Sequence, residues 1–335
     1  MNQPFFPHFP PDPIEQIRQI EKRQLRRDAT YIGVLSIALT LVMGFAFTIL
    51  VIFLLQVGIF NYEQLSDPFL GLGNTAYMWL YIGVYTFAML VPAVVVSFCF
   101  KKRFMPFSPA KPVPFGVAFF GIIGAIGLCM LANIINSYVL TFFSDIGLSV
   151  PEAPQTMVNT PTSLALNLFT MAVLPALLEE MIYRGYILRT LRPYGNWFAV
   201  IVSSILFSLM HGNLRQIPFA FIVGLVLGLL YVTTDNIWMP IAVHFTNNAI
   251  SVLMEYLGFS LPEEYVGVFY AIVIYGLVFV GIVAMIVLFS LFKAHTKVPK
   301  SGTTLTAGKR ASTLLTTPLF LLSVILYLLL LFMES

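Results

Sequence analysis

Nine apolar stretches organise this chain, at 32–55, 76–100, 115–139, 164–188, 197–211, 217–233, 237–257, 266–292 and 314–333. A helix needs about 20 apolar residues to cross a bilayer, and most of these stretches reach that length. The pair 197–211 and 217–233 is shorter and is joined by the polar turn "HGNLRQIP". Lipid offers no water to backbone N–H and C=O groups, so a spanning segment must satisfy them within a helix or a closed barrel. Runs of this length and composition predict helices: an all-α, polytopic transmembrane helix bundle of about eight to nine membrane helices. Composition agrees, since 59% of residues are hydrophobic and 10% charged, against roughly 25% charged in soluble domains.

The few charges are distributed unevenly. Arg18, Lys22, Arg23, Arg26 and Arg27 precede the first span; Lys101, Lys102, Arg103 and Lys111 follow the second. Arg184, Arg189 and Arg192 end the fourth, and Lys293, Lys297, Lys300, Lys309 and Arg310 follow the eighth. With the N-terminus in the cytoplasm, every Lys and Arg except Arg215 falls on that side, while Glu63, Asp67, Asp145, Glu152, Glu263 and Glu264 fall opposite. This positive-inside pattern predicts an outer C-terminus and a multi-pass protein of a plasma membrane, more in keeping with a prokaryote. The polar, Pro-rich opening predicts no cleavable signal peptide.

The chain divides into a cytoplasmic amphipathic tail (1–30), N-terminal transmembrane helices (31–160), a core (161–258), a further span (259–293), and a linker with a last helix (294–335). In the tail, Ile14, Ile17 and Ile20 lie on a basic helix that reads as an interfacial anchor. The linker at 294–312 reads as flexible. Cys99 and Cys129 lie inside apolar runs and read as packing residues, with no disulfide framework. Gly224 and Gly228, in "GLVLG", allow close helix approach.

Charged groups inside spans cost about 2.5–3.5 kcal/mol each on insertion scales and therefore mark function by default. "ALLEEMIYRGYILR", residues 176–189, carries Glu179, Glu180 and Arg184 within such a span. His211 ends the fifth span, and His244 and Asn248 sit on the seventh; His8 and His295 are in polar tails. Glu180 and Arg184 are spaced i, i+4 and pair on one helix face, leaving Glu179 turned about 100° away without that partner. Phe207 and His211 share a face, as do His244 and Asn248. Asn247 reads as helix glue.

Glu179 and His211 are equidistant in sequence from the turn "RPYGN", so antiparallel helices bring them level, about 24 Å along either arm. His244 and Asn248 lie about 14 and 20 Å beyond Asp235. Glu179, His211, His244 and Asn248 are thus expected in one layer of the cytoplasmic half of the membrane. Carboxylate plus imidazole can hold and deprotonate a water, and imidazole plus carboxamide N–H groups can receive an oxyanion. There is no H-E-x-x-H zinc motif, no intramembrane aspartate pair and no serine in a Gly-x-Ser loop.

The motifs Glu179-Glu180-x-x-x-Arg184, Phe207-x-x-x-His211 and His244-x-x-x-Asn248 resemble those of the CPBP family, which includes type II CAAX prenyl endopeptidases and bacteriocin-processing or self-immunity proteins. The resemblance covers about 160–255. It implies a helix bundle with a conical or cavity-bearing core and an intramembrane endopeptidase cutting near the cytoplasmic face. By the same resemblance Glu179 is the general base, His211 shares the water, and His244 and Asn248 form the oxyanion site. Glu180 supports Arg184, and Phe207 shapes the pocket. The implied partners are the lipid bilayer and a peptide or a protein C-terminus, prenylated for some members, with no nucleic acid. No cofactor is required on this reading. Two alternatives stand beside it: a zinc-dependent hydrolase with Glu179, His211 and His244 as ligands and water in the fourth position, and a non-catalytic scaffold or transporter. The lack of an internal repeat counts against a transporter.

Overall fold

The computed structural model describes residues 12–61, 63, 67, 70–102, 107–148, 150 and 160–334. His8, Arg103 and Glu152, and the first eleven residues of the tail, lie outside the described residues. The described residues form helices throughout and no strand; a single isolated bridge joins Ala110 to Asn236. The helices are α1 (Pro13–Gln56), α2 (Gly73–Cys99), α3 (Phe115–Asp145), α4 (Pro161–Tyr194) and α5 (Asn196–Leu209). They continue with α6 (Ile217–Thr234), α7 (Trp238–Phe259), α8 (Glu263–Leu291), α9 (Ala307–Leu315) and α10 (Pro318–Glu334).

The protein is a multi-pass membrane protein. Among the described residues six helices are long and apolar enough to cross a bilayer: α1, α2, α3, α4, α6 and α8. A seventh span arises if α9 and α10, bent by 75° at their junction, count as one. This is fewer than the eight to nine expected. Helix α5 is too short, and α7 spends His244, Asn247 and Asn248 on polar contacts, which lowers its hydropathy below that of a free-standing span.

Local chemistry sets the helix ends. The Asp12 carboxylate accepts the Ile14 N–H at 3.0 Å and Pro13 occupies the first turn, the position where its missing donor costs nothing. Thr160 and Ser163 form a reciprocal capping box before α4. Asp235 ends α6 in the left-handed region at φ +51°, which Asp tolerates better than most residues. The turn between α4 and α5 needs Gly195, at φ +130°.

Helix α1 departs from the expected tail. Residues 13–30 are continuous with the first span, and the 44-residue helix extends roughly 66 Å, about twice the hydrocarbon thickness. Leu25 and Ala29 are fully buried, so this segment packs on the protein rather than lying flat in the interface, while Ile14, Ile17 and Ile20 stay exposed. The linker is likewise anchored rather than free. The Glu21 carboxylate accepts from the Thr304 hydroxyl at 2.7 Å and its N–H at 3.0 Å, and the Asn196 amide donates to the Pro299 carbonyl at 2.8 Å.

These contacts belong to one polar end of the bundle. Lys102 pairs with Asp28 at 2.7 Å, and the Tyr194 hydroxyl donates to the other Asp28 oxygen at 2.8 Å. Arg192 and Lys111 both pair with Asp235, and Arg310 donates to the Tyr194 carbonyl. The start of α1, the α2–α3 loop, the α4–α5 and α6–α7 turns and the linker therefore meet, as the charge pattern requires. Arg184 is the exception: it lies fully buried, ten positions inside the end of α4.

Glycines bring helices into backbone contact. A methyl group on Gly33 would lie 2.4 Å from the Leu319 backbone of α10, and one on Gly127 of α3 would lie 2.6 Å from Gly281 of α8. Gly224 and Gly228 let α6 approach Ser204 and Val200 of α5, in keeping with the "GLVLG" pattern. Cys99 and Cys129 are free thiols, the second buried.

Candidate active site

The site is built around irregularities in α4. Two segments of this helix, Leu168–Val173 and Met181–Leu188, take the wider π-helical winding, which in other proteins concentrates at functional sites. Between them stands Pro175, which has no N–H for the carbonyl four residues earlier. That carbonyl, of Met171, instead accepts the Asn248 carboxamide Nδ2 of α7 at 2.9 Å. The neighbouring Asn247 donates to Asn248 Oδ1 at 3.1 Å. That bond stays within α7, so it is Asn248, not Asn247, that ties α7 to α4.

Glu179 and Glu180 follow and are both buried. Glu180 Oε1 accepts two bonds, from Arg184 Nη1 at 2.8 Å and from His244 Nδ1 at 2.9 Å. Arg184 Nη2 donates to the Gly224 carbonyl at 3.1 Å, and its guanidinium lies 4.6 Å from the Phe207 ring centre. One cation thereby joins α4, α5 and α6. A buried pair of this kind is weak evidence for net stability, because desolvation offsets the attraction, but loss of either partner strands a charge. The i, i+4 pair is legible in the sequence; the share that His244 takes of it is not.

The two histidines are held alike. His244 Nδ1 faces a carboxylate, and His211 Nδ1 lies 2.9 Å from the Phe207 carbonyl. Carboxylate and carbonyl oxygens only accept, so Nδ1 carries the proton in both rings and Nε2 is left for other partners. Phe207 packs edge-on against both, with ring centres 5.1 Å from His211 and 6.0 Å from His244. His244 Nε2 is 3.9 Å from Glu179 Oε2, which is buried and makes no hydrogen bond. That gap is too long for a direct hydrogen bond.

Helical spacing alone leaves Glu179 an acid without a partner. The structure corrects this: the Tyr85 hydroxyl of α2 donates to Glu179 Oε1 at 2.8 Å. Nothing in the sequence singles out Tyr85 among the 15 tyrosines of an aromatic-rich membrane chain. Of the expected residues, Glu179, Glu180, Arg184, Phe207, His211 and His244 form one cluster, and Asn248 joins it through α4. Among the described residues no hydrogen bond links His211 to Glu179.

Among the described residues no three His, Cys, Asp or Glu side chains are arranged to hold a metal ion.

Comparison with known proteins gives this arrangement its context. Residues 161–250 match the family described as Type II CAAX prenyl endopeptidase Rce1-like. Over this segment the chain is similar to that family, also called CPBP. Two bacterial relatives share the similarity. One is a candidate membrane peptidase, YdiL, of Bacillus subtilis (strain 168), 27% identical over 142 residues, which are 39% of this chain and 58% of that protein. The other is the membrane-embedded CAAX protease MroQ of Staphylococcus aureus (strain USA300), 28% identical over 137 residues, covering 39% and 55% of the two chains. The chain thus spans somewhat over half the length of the curated relatives it matches. No solved structure matches it significantly. The CPBP segment contains α4 to α7 up to Ile250 and hence every residue of the cluster except Tyr85.

Proposed function

We propose that this protein is an intramembrane endopeptidase that hydrolyses a peptide bond near the cytoplasmic membrane face with a water activated by Glu179 and His211. The observation that carries this reading is the buried, unbonded Glu179 Oε2 opposite the free Nε2 of His244, 3.9 Å away. Such an acceptor, held without a donor of its own, is suited to take a proton from a water lodged beside it.

The chain's groups divide the reaction between them. Glu179 removes a proton as the water oxygen attacks the peptide carbonyl, and His211 Nε2 shares that water. His244 and the remaining Asn248 N–H receive the oxyanion. The Glu180 carboxylate accepts from His244 Nδ1 and so fixes the ring with Nε2 turned toward the reacting groups. Collapse of the tetrahedral species breaks the C–N bond, and the proton on Glu179 passes to the leaving amine. No step of this reaction uses a metal.

Substrate and orientation follow from family and charge. The names of the matched family and of the Staphylococcus aureus relative favour a peptide or a protein C-terminus, prenylated in the CAAX case, presented from the cytoplasm. The basic end of the bundle supports an N-terminus on that side, in a bacterial plasma membrane.

The test uses purified full-length protein in lipid nanodiscs and a quenched fluorescent peptide ending in a farnesylated CAAX sequence, beside its unprenylated copy. Glu179→Ala and His211→Ala are expected to lower cleavage by about 100-fold or more, and a chelator to leave it unchanged. Retained cleavage in both variants removes the mechanism. Loss with chelator alone transfers it to a metal.

A further inference from the structure

We infer that Tyr85 is a positioning residue for Glu179, aiming the carboxylate so that one oxygen stays free for chemistry. This rests on the proposed role of Glu179 as the base. It extends the site to α2, which lies outside the matched segment 161–250.

The two oxygens of Glu179 have unlike surroundings. Oε1 accepts the Tyr85 hydroxyl at 2.8 Å, the only hydrogen bond this carboxylate makes among the described residues. Oε2 makes none and faces His244 Nε2. A glutamate side chain turns about three bonds and loses much rotamer freedom when held. A bond to one oxygen fixes the carboxylate plane and so decides where the other oxygen points. The bond is also charge-assisted, about twice as strong as a neutral one.

Tyr85 is suited to this task because it cannot move far. Its ring is buried, and Tyr81, one turn earlier on α2, stacks on it with centres 5.8 Å apart and planes 14° from parallel. Met89, one turn later, is fully buried. The cytoplasmic end of α2 is tied to α1, where the Tyr31 hydroxyl lies 3.2 Å from Ser97 Oγ and Lys102 pairs with Asp28. Neither neighbour of the carboxylate on α4 can replace the hydroxyl: Glu180 repels it and Arg184 is turned to Glu180 and Gly224. A purely structural tyrosine needs only some buried acceptor; this one takes the single side chain proposed to act as base.

The experiment is a double-mutant cycle on the full chain in nanodiscs. Tyr85→Phe removes one oxygen and keeps the ring, so it preserves the stacking on Tyr81. With the farnesylated peptide, Tyr85→Phe is expected to lower kcat by about tenfold or more while KM stays within about twofold, the signature of an interaction used only in the transition state. In the Glu179→Gln background the same change is expected to have no further effect. Infrared difference spectra supply a second readout that needs no substrate: Tyr85→Phe should shift a carboxylate stretching band that is absent from Glu179→Gln protein. Unchanged kcat, an effect on KM alone, a further loss in the Glu179→Gln background or an unmoved band would each overturn the role. An inactive Glu179→Gln beside a fully active Tyr85→Phe defeats the positioning alone; an active Glu179→Gln defeats the proposed base as well.

Discussion

Asn248 donates its side-chain amide to the Met171 carbonyl at 2.9 Å, filling the place of the N–H that Pro175 lacks. The same carboxamide is proposed to meet the oxyanion, so its loss should register twice. Asn248→Ala removes the side-chain donor from a part-buried carbonyl, which costs up to about 1–3 kcal/mol, and lowers activity. Pro175→Ala returns a backbone donor to Met171. The double variant Asn248→Ala/Pro175→Ala is therefore expected to regain thermal stability in detergent without regaining cleavage. Recovery of both, or of neither, would contradict the assignment.

The Glu180–Arg184 pair gives a second test. Removing one partner of a buried pair costs about 3–5 kcal/mol, whereas replacing both by neutral groups is often close to harmless. Arg184→Met is expected to destabilise strongly, because Glu180 would keep only His244. Arg184→Met combined with Glu180→Gln should recover most of the loss in an unfolding titration. Activity should not return, since a Gln amide presents one acceptor and one donor where the carboxylate offered two acceptors, and so no longer holds His244 Nδ1 in the same geometry.

Much of this site is legible in the sequence because its spacing is local. Glu180 and Arg184, Phe207 and His211, and His244 and Asn248 each sit one turn apart, and a helix turns such spacing into a shared face. The antiparallel arrangement of α4 and α5 around Gly195 is legible for the same reason. What stays hidden depends on partners distant in sequence. Tyr85 meets Glu179 across 94 positions, and a tyrosine among apolar residues carries no mark of its partner. The bond from Asn248 to Met171 needs Pro175 to be read as a vacancy in the hydrogen-bond ladder, not as a helix flaw. The apolar runs overstate the number of spans at α5, which is too short to cross, and at α7, whose His244 and Asn248 find their partners inside the bundle. The tail and linker read as free because the contacts between Glu21 and Thr304, or between Asn196 and Pro299, leave no periodic trace.

The packing of the last helix can be tested at Gly33. A methyl group there would lie 2.4 Å from Leu319 C and 2.5 Å from the Leu319 carbonyl oxygen, both backbone atoms that cannot rotate aside. Gly33→Ala should push α10 off α1 and destabilise by about 1–3 kcal/mol or more. Gly44→Ala, on the same helix with nothing within 4 Å, should be neutral or slightly stabilising through helix propensity. Equal melting temperatures for the two variants would refute the close contact.

The polar end predicts a dependence on pH. Burial raises the pKa of the Asp235 carboxyl, but hydrogen bonds from Lys111 and Arg192, with their positive charge, outweigh it and hold the pKa below the ordinary 3.8. A group depressed on folding contributes stability that is fully present above its unfolded pKa and is lost as pH falls through the folded one. Wild-type protein should therefore lose melting temperature on acidification from about pH 5 downward, part of it through Asp235. Asp235→Asn keeps a residue that tolerates φ +51° and removes the charge that Lys111 and Arg192 share. Its expected cost at pH 7 is small, up to about 1 kcal/mol for so partly exposed a pair, and the difference from wild type should close below about pH 4. Melting curves for both proteins across that range decide the matter: parallel curves with a constant offset would mean that the bridge does not titrate with folding.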